Sequence, residues 1–93
     1  MNMAPVFTHS GLKPLGLADR GTRGVIGMIE VTGLNSSLPP MEIERRLLEL
    51  GFLEGAEVSI LHEGLIGRDP IAVRVNGSTV ALRRSEAMAI FIR

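Results

Sequence analysis

Two residues, Asn76 and Gly77, lie between the alternating runs Ile71 to Val75 and Ser78 to Leu82, and they constrain the fold more than anything else in the chain. A two-residue hairpin loop of type I′ needs positive φ at both central positions, which Asn-Gly tolerates better than almost any other pair. Such a loop sets Val75 opposite Ser78, Val73 opposite Val80 and Ile71 opposite Leu82. The large apolar side chains then share one face, while Arg74 with Thr79 and Ala72 with Ala81 share the other. Turn chemistry and apolar pattern independently demand the same register, the kind of agreement that marks a well-specified element.

Other elements can be placed around this hairpin. Thr22 to Val31 is β-prone, with Gly24 and Gly27 interrupting it as at a bend or close backbone approach in a barrel corner. Val58 and Ile60 alternate with Glu57 and Ser59, predicting a strand over Ala56 to Glu63 in which His62 shares their inward parity. Met88, Ile90 and Ile92 alternate with Ala89 and Phe91 in a last strand, preceded by a helical turn over Ser85 to Ala87 with Ser85 as its cap. Between the loop Gly33 to Ser37 and Gly51, a helix is predicted from about Pro40 to Leu50. Proline suits a first helical turn because the N–H groups there have no intrahelical partner, and glycine suits the left-handed exit. Ile43, Leu47 and Leu50 fall on one side, Phe52 folds back onto Leu47, and the pairs Glu42 with Arg46 and Arg45 with Glu49 are four apart on the wet side. The expected fold is mainly β: a small, partly open barrel of about five strands with one short α-helix. Residues 1–14 read as a flexible N-terminal extension and residues 15–93 as the domain.

Composition narrows the function. Ten basic and ten acidic residues give zero net charge, and only three aromatic residues are present, so direct nucleic-acid binding through phosphate neutralisation or base stacking is not expected. No cysteine is present, which removes thiol nucleophiles, disulfides and the usual structural zinc sites. Neither a signal-like segment nor a long apolar run suggests export or membrane insertion. His9 and His62 have no serine or cysteine nucleophile arranged beside them, Glu63 and Asp69 lack a metal-ligand spacing, and the glycines lack the setting and lysine of a phosphate loop. A non-enzyme without cofactor or bound metal is the expectation.

The blocks Arg45-Arg46-Leu47-Leu48-Glu49-Leu50-Gly51-Phe52, Glu54-Gly55-Ala56-Glu57-Val58, Gly67 with Asp69-Pro70-Ile71, and Val80-Ala81-Leu82-Arg83-Arg84-Ser85-Glu86-Ala87, with Leu17-Ala18-Asp19 near the start, occur in this order and spacing. Together they resemble the ferrous iron transport protein A (FeoA) family. The resemblance implies an SH3-like barrel in the bacterial cytoplasm that binds the cytosolic part of a membrane ferrous iron transporter, without catalysis of its own. An alternative is a metal-responsive or transcription-linked SH3-like interaction module with another protein partner. One departure stands out: the family loop commonly reads Pro-Leu-Gly-Asp-Pro, whereas here Leu65 and Ile66 precede Gly67, and Arg68 is inserted before Asp69.

Three surfaces are therefore candidates for partner contact. The first is the loop tip Leu65 and Ile66 with Arg68; the second is the off-core strip Met41 and Leu48, extended by Leu53. The third is the outer hairpin face, with Arg74 and Arg83 at its rim around Ala72 and Ala81. Arg83-Arg84 together with Arg74 reads as a solvated sheet face. An unpaired strand edge also leaves room for a homodimer.

Overall fold

The computed structural model describes residues 11–34 and 37–93. Its elements are β1 (Lys13–Pro14), a 3-10 turn (Leu15–Leu17), β2 (Arg23–Ile29), α1 (Pro40–Glu49), β3 (Glu57–Glu63), β4 (Ile71–Val75), β5 (Ser78–Leu82), α2 (Arg84–Ala87) and β6 (Ile90–Ile92). The six strands form one antiparallel sheet in the order β1-β6-β2-β3-β4-β5. β2 makes the curl: its first half pairs with β3, its second with β6, and the register shifts at Gly27 between Ile26 and Met28. The glycine-interrupted segment thus behaves as a barrel corner. Residues 1–10 of the expected extension, and Asn35 and Ser36 of the predicted loop, lie outside the described residues. Lys13 and Pro14, assigned to that extension from sequence, instead form a strand against Ile92 and Phe91.

The hairpin has the predicted register at all five positions, Ile71 with Leu82 through Val75 with Ser78. Asn76 and Gly77 take φ of 51° and 79°, as the turn requires. Ile71, Val73, Val75 and Leu82 are buried, joined from other strands by Ile26, Val58, Ile60, Ile90 and Ile92. Val80, near the sheet edge, packs only partly against this core.

α1 closes one side with Ile43 and Leu47, both buried, while Leu50 packs at the margin. Its end is a Schellman motif: Phe52 N–H donates to the Leu47 carbonyl at 3.0 Å and Gly51 N–H to the Leu48 carbonyl at 3.0 Å. Gly51 holds φ of 103°, and a side chain there would meet the Asn76 amide at 2.7 Å. That amide donates to the Gly51 carbonyl at 3.2 Å, so one residue both shapes the hairpin turn and ties it to the helix exit.

Three local expectations are corrected. Arg45 pairs with Glu42, three residues back, at 2.9 Å, and Arg46 leaves the helix to pair with Glu86, so neither four-apart pair forms. The cap of α2 is at Arg83, whose N–H donates to the Glu86 carboxylate at 3.1 Å; Ser85 is exposed within the helix. Finally, a β-bulge between Ile60 and His62 reverses the inward parity of β3, and His62 is exposed.

Candidate partner-docking loop

The β-bulge that turns His62 outward sets Glu63 opposite the buried Ile71. Glu63 is the last residue of β3, and its carboxylate, 25% exposed, is brought to the rim beside Arg84. The connection to β4 begins there. Gly64 N–H donates to the Pro70 carbonyl at 2.9 Å, pinching residues 64–70 into a narrow neck. A Cβ on Gly64 would sit 2.0 Å from the Asp69 carbonyl oxygen, so only glycine permits this approach. Within the loop Gly67 and Arg68 take φ of 68° and 60°, and the Asp69-Pro70 peptide is cis.

Arg84 holds the arrangement together. Its backbone N–H donates to Asp69 Oδ1 at 2.8 Å. Its side chain donates to the Arg68 carbonyl at 2.7 Å, the Gly16 carbonyl at 3.1 Å, the Ala18 carbonyl at 2.7 Å and Glu63 Oε1 at 2.9 Å. β1 and β5 are the two edges of the sheet. Gly16 and Ala18 lie just past β1 and Arg84 just past β5, so this side chain spans the opening of the barrel and grips the loop neck at once. A guanidinium is well shaped for such a bridge, since its rigid planar fork of donors serves several acceptors with little loss of freedom per bond. The expected solvated role is therefore corrected for Arg84, which is only 17% exposed. Its acceptors come from three segments distant in sequence, so no local pattern marks it.

Arg68 adds a second tie, from Nη2 to Asp19 Oδ1 at 2.6 Å and from Nε to Glu63 Oε1 at 3.1 Å. The hydrogen bond it donates to Asp19, then that to Glu63, holds its guanidinium pKa above the ordinary value, so it remains charged. Both ties act on the base of the loop. Its tip is bare: Leu65 is 101% and Ile66 90% exposed. A third apolar side chain, Leu17, is exposed on the turn whose neighbouring carbonyls Arg84 binds. The sequence pattern gave Leu17 no contact role.

The other two candidate surfaces are separate from this one. Met41, 81% exposed, and Leu48 flank a shallow groove of about 260 Å³ with Glu42, Glu44 and Arg45, and Leu53 does not line it. Arg74 and Arg83 are exposed on the hairpin side of the molecule. Among the described residues, no three His, Asp or Glu side chains gather as a metal-binding group, and no helix is long and apolar enough to cross a membrane.

Residues 13–93 match the family model for the FeoA domain. The chain belongs to the FeoA family. A Stenotrophomonas maltophilia FeoA crystallised with zinc, described as a procaryotic SH3 domain protein, is 33% identical, with 85% of this chain and 87% of that one covered and a TM-score of 0.67. A FeoA protein from Chlorobium tepidum is 28% identical over 86% of this chain and 69% of its own, with a TM-score of 0.67. A manganese-dependent transcriptional repressor shares 21% identity over 88% of this chain and 41% of its own at a TM-score of 0.69, a likeness of fold alone. No curated protein matches. The chain thus has the mainly β architecture expected from its hairpin and strand pattern, with the SH3-like form that the family resemblance implied.

Proposed function

We propose that this FeoA chain is an accessory, non-catalytic protein of ferrous iron uptake that acts in the cytoplasm by binding the cytosolic region of a membrane ferrous iron transporter. The family supplies the process, and the S. maltophilia relative is itself described in terms of ferrous iron transport activation. The observation that carries the docking role is the contrast within one loop: an anchored neck beneath two apolar side chains left in solvent. Burying a leucine or isoleucine is worth about 1.5–3 kcal/mol, and a tip already held in place loses little conformational freedom on binding. Leu65 and Ile66 are the anchors in this reading, Arg68 and Arg84 position them, and Met41, Leu48, Leu53, Arg74 and Arg83 are secondary contacts at most.

The test is binding of the purified chain to the transporter's cytosolic domain by calorimetry, with and without Fe(II). The Leu65→Ser/Ile66→Ser double variant is expected to weaken binding at least about tenfold, the loss of roughly 1.4 kcal/mol or more. Absence of binding by the parent chain well above micromolar concentration overturns the reading. If the double variant binds as tightly as the parent, the transporter role stands and the docking site moves elsewhere.

A further inference from the structure

A second site lies on the outer face of the sheet, away from the docking loop. Arg23 on β2 pairs with Ser59 on β3, Ser59 with Arg74 on β4, and Arg74 with Thr79 on β5. Residues in register across neighbouring strands share a face, and adjacent strands are about 4.8 Å apart. Arg23 and Arg74 therefore flank Ser59 from opposite sides, within reach of one point above it. Together with Glu57, Asn76 and Gly77 they line a groove of about 470 Å³, larger than the one beside α1.

No described carboxylate forms an ion pair with Arg23 or Arg74, in contrast to Arg45, Arg46, Arg68 and Arg84. Glu57 is the acidic residue in the groove, displaced along β3 by two residues, so the two arginines leave one positive charge in excess. Two like charges brought together by strand register, with only Glu57 to offset them and no ion pair to hold either, favour an anion between them. The donors also indicate its shape. One guanidinium satisfies both oxygens of a carboxylate, whereas two guanidinium groups with a hydroxyl between them serve the three unprotonated oxygens of a phosphate dianion.

We infer that the Arg23–Ser59–Arg74 row is a binding site for a phosphate dianion, either free or carried as a small phosphate ester. The two guanidinium groups clamp the oxygens from either side, the Ser59 hydroxyl donates from below, and Thr79 extends the row. The groove beyond Arg74, towards Asn76 and Gly77, has room for the remainder of an ester.

Amide chemical shifts of the full chain, titrated separately with inorganic phosphate, glycerol phosphate and acetate at low salt, test this. Saturable shifts centred on Arg23, Ser59 and Arg74 are expected with at least one phosphate compound and not with acetate. Tighter binding of glycerol phosphate identifies an ester as the natural ligand, and equal or tighter binding of inorganic phosphate identifies the free ion. Arg23→Gln or Arg74→Gln should each weaken binding about tenfold, as expected for loss of a charge-assisted contact, with the hairpin amides otherwise unmoved. Affinity should rise as pH passes upward through about 6 for the ester, and at a somewhat higher pH for the free ion, where each gains its second charge, and should fall with added salt. No saturation up to about 20 mM, a weak limit for any designed site, overturns the proposal, as do equal shifts with acetate or unchanged affinity in both variants.

Discussion

Two connections flank β4, and they are built on opposite principles. The turn to β5 uses two residues, both with positive φ, and is set by its own chemistry and the alternating runs on either side. The loop from β3 spans residues 64–70 and is set from outside, by Arg84, Asp19 and Glu63. A short turn can encode its geometry locally because two residues with the right backbone preference suffice. A longer loop has too many conformations for that, so partners from elsewhere must select one. The division suits function, since the loop held from outside carries the free apolar tip while the self-sufficient turn lies at the end of the arginine groove.

If this contrast is right, the largest effect should come from removing the external clamp. Arg84→Ala leaves three backbone carbonyls and Glu63 without their donor, and each unsatisfied group costs about 1–3 kcal/mol, so a loss of about 3–5 kcal/mol is expected in chemical denaturation. Arg84→Lys should recover only a minor part, because an ammonium cannot reach the same set of acceptors. A loss under about 1 kcal/mol for Arg84→Ala would break the comparison.

Gly64→Ala should follow at about 2–3 kcal/mol, since the loop neck must open to admit the methyl group. Backbone relaxation should then show the 64–70 segment loosened while the hairpin keeps its order. For the self-encoded turn, Asn76→Ala should cost about 1–2 kcal/mol through the strained φ and the lost bond to the Gly51 carbonyl. Cross-strand contacts from Val73 to Val80 should persist in its spectra, because the apolar face still specifies the register. Smallest of all, Leu65→Ser/Ile66→Ser should leave stability within about 0.5 kcal/mol of the parent, as for other exposed positions. A marked destabilisation would mean that the tip packs in solution and is not free for a partner.

The same division explains which features could be read along the chain. The hairpin register, the Schellman exit at Gly51 and the inward faces of α1 and β4 follow from periodicities of two or 3.6 and from residues with special backbone preferences. His62 failed that logic because a bulge adds one residue to β3 and reverses parity, and nothing in Ile60-Leu61-His62 marks where the extra residue falls. Arg46 failed it too: a partner four residues away on the helix was equally plausible, but Glu86 wins because the fold brings the carboxylate on α2 within reach of the Arg46 side chain. Of the candidate docking residues, Leu65 and Ile66 are exposed as the loop chemistry suggested, whereas Arg68 spends its donors on Asp19 and Glu63. Arg23 has no local feature to distinguish it, since its companions Ser59 and Arg74 meet it only through strand pairing.

By itself, the sequence determined a mainly β domain built around one register-locked hairpin, capped by one helix with a glycine exit, because those features arise from interactions among neighbours. It also held the family-specific blocks and the unusual Leu65-Ile66 tip with Arg68 inserted before Asp69. Tertiary structure decided what the arginines do. A guanidinium is soluble anywhere on the surface, so its sequence context says little. Only the curl of the sheet, which brings the ends of β1 and β5 within one side chain's reach, makes Arg84 a clasp while leaving Arg23 and Arg74 as open hands.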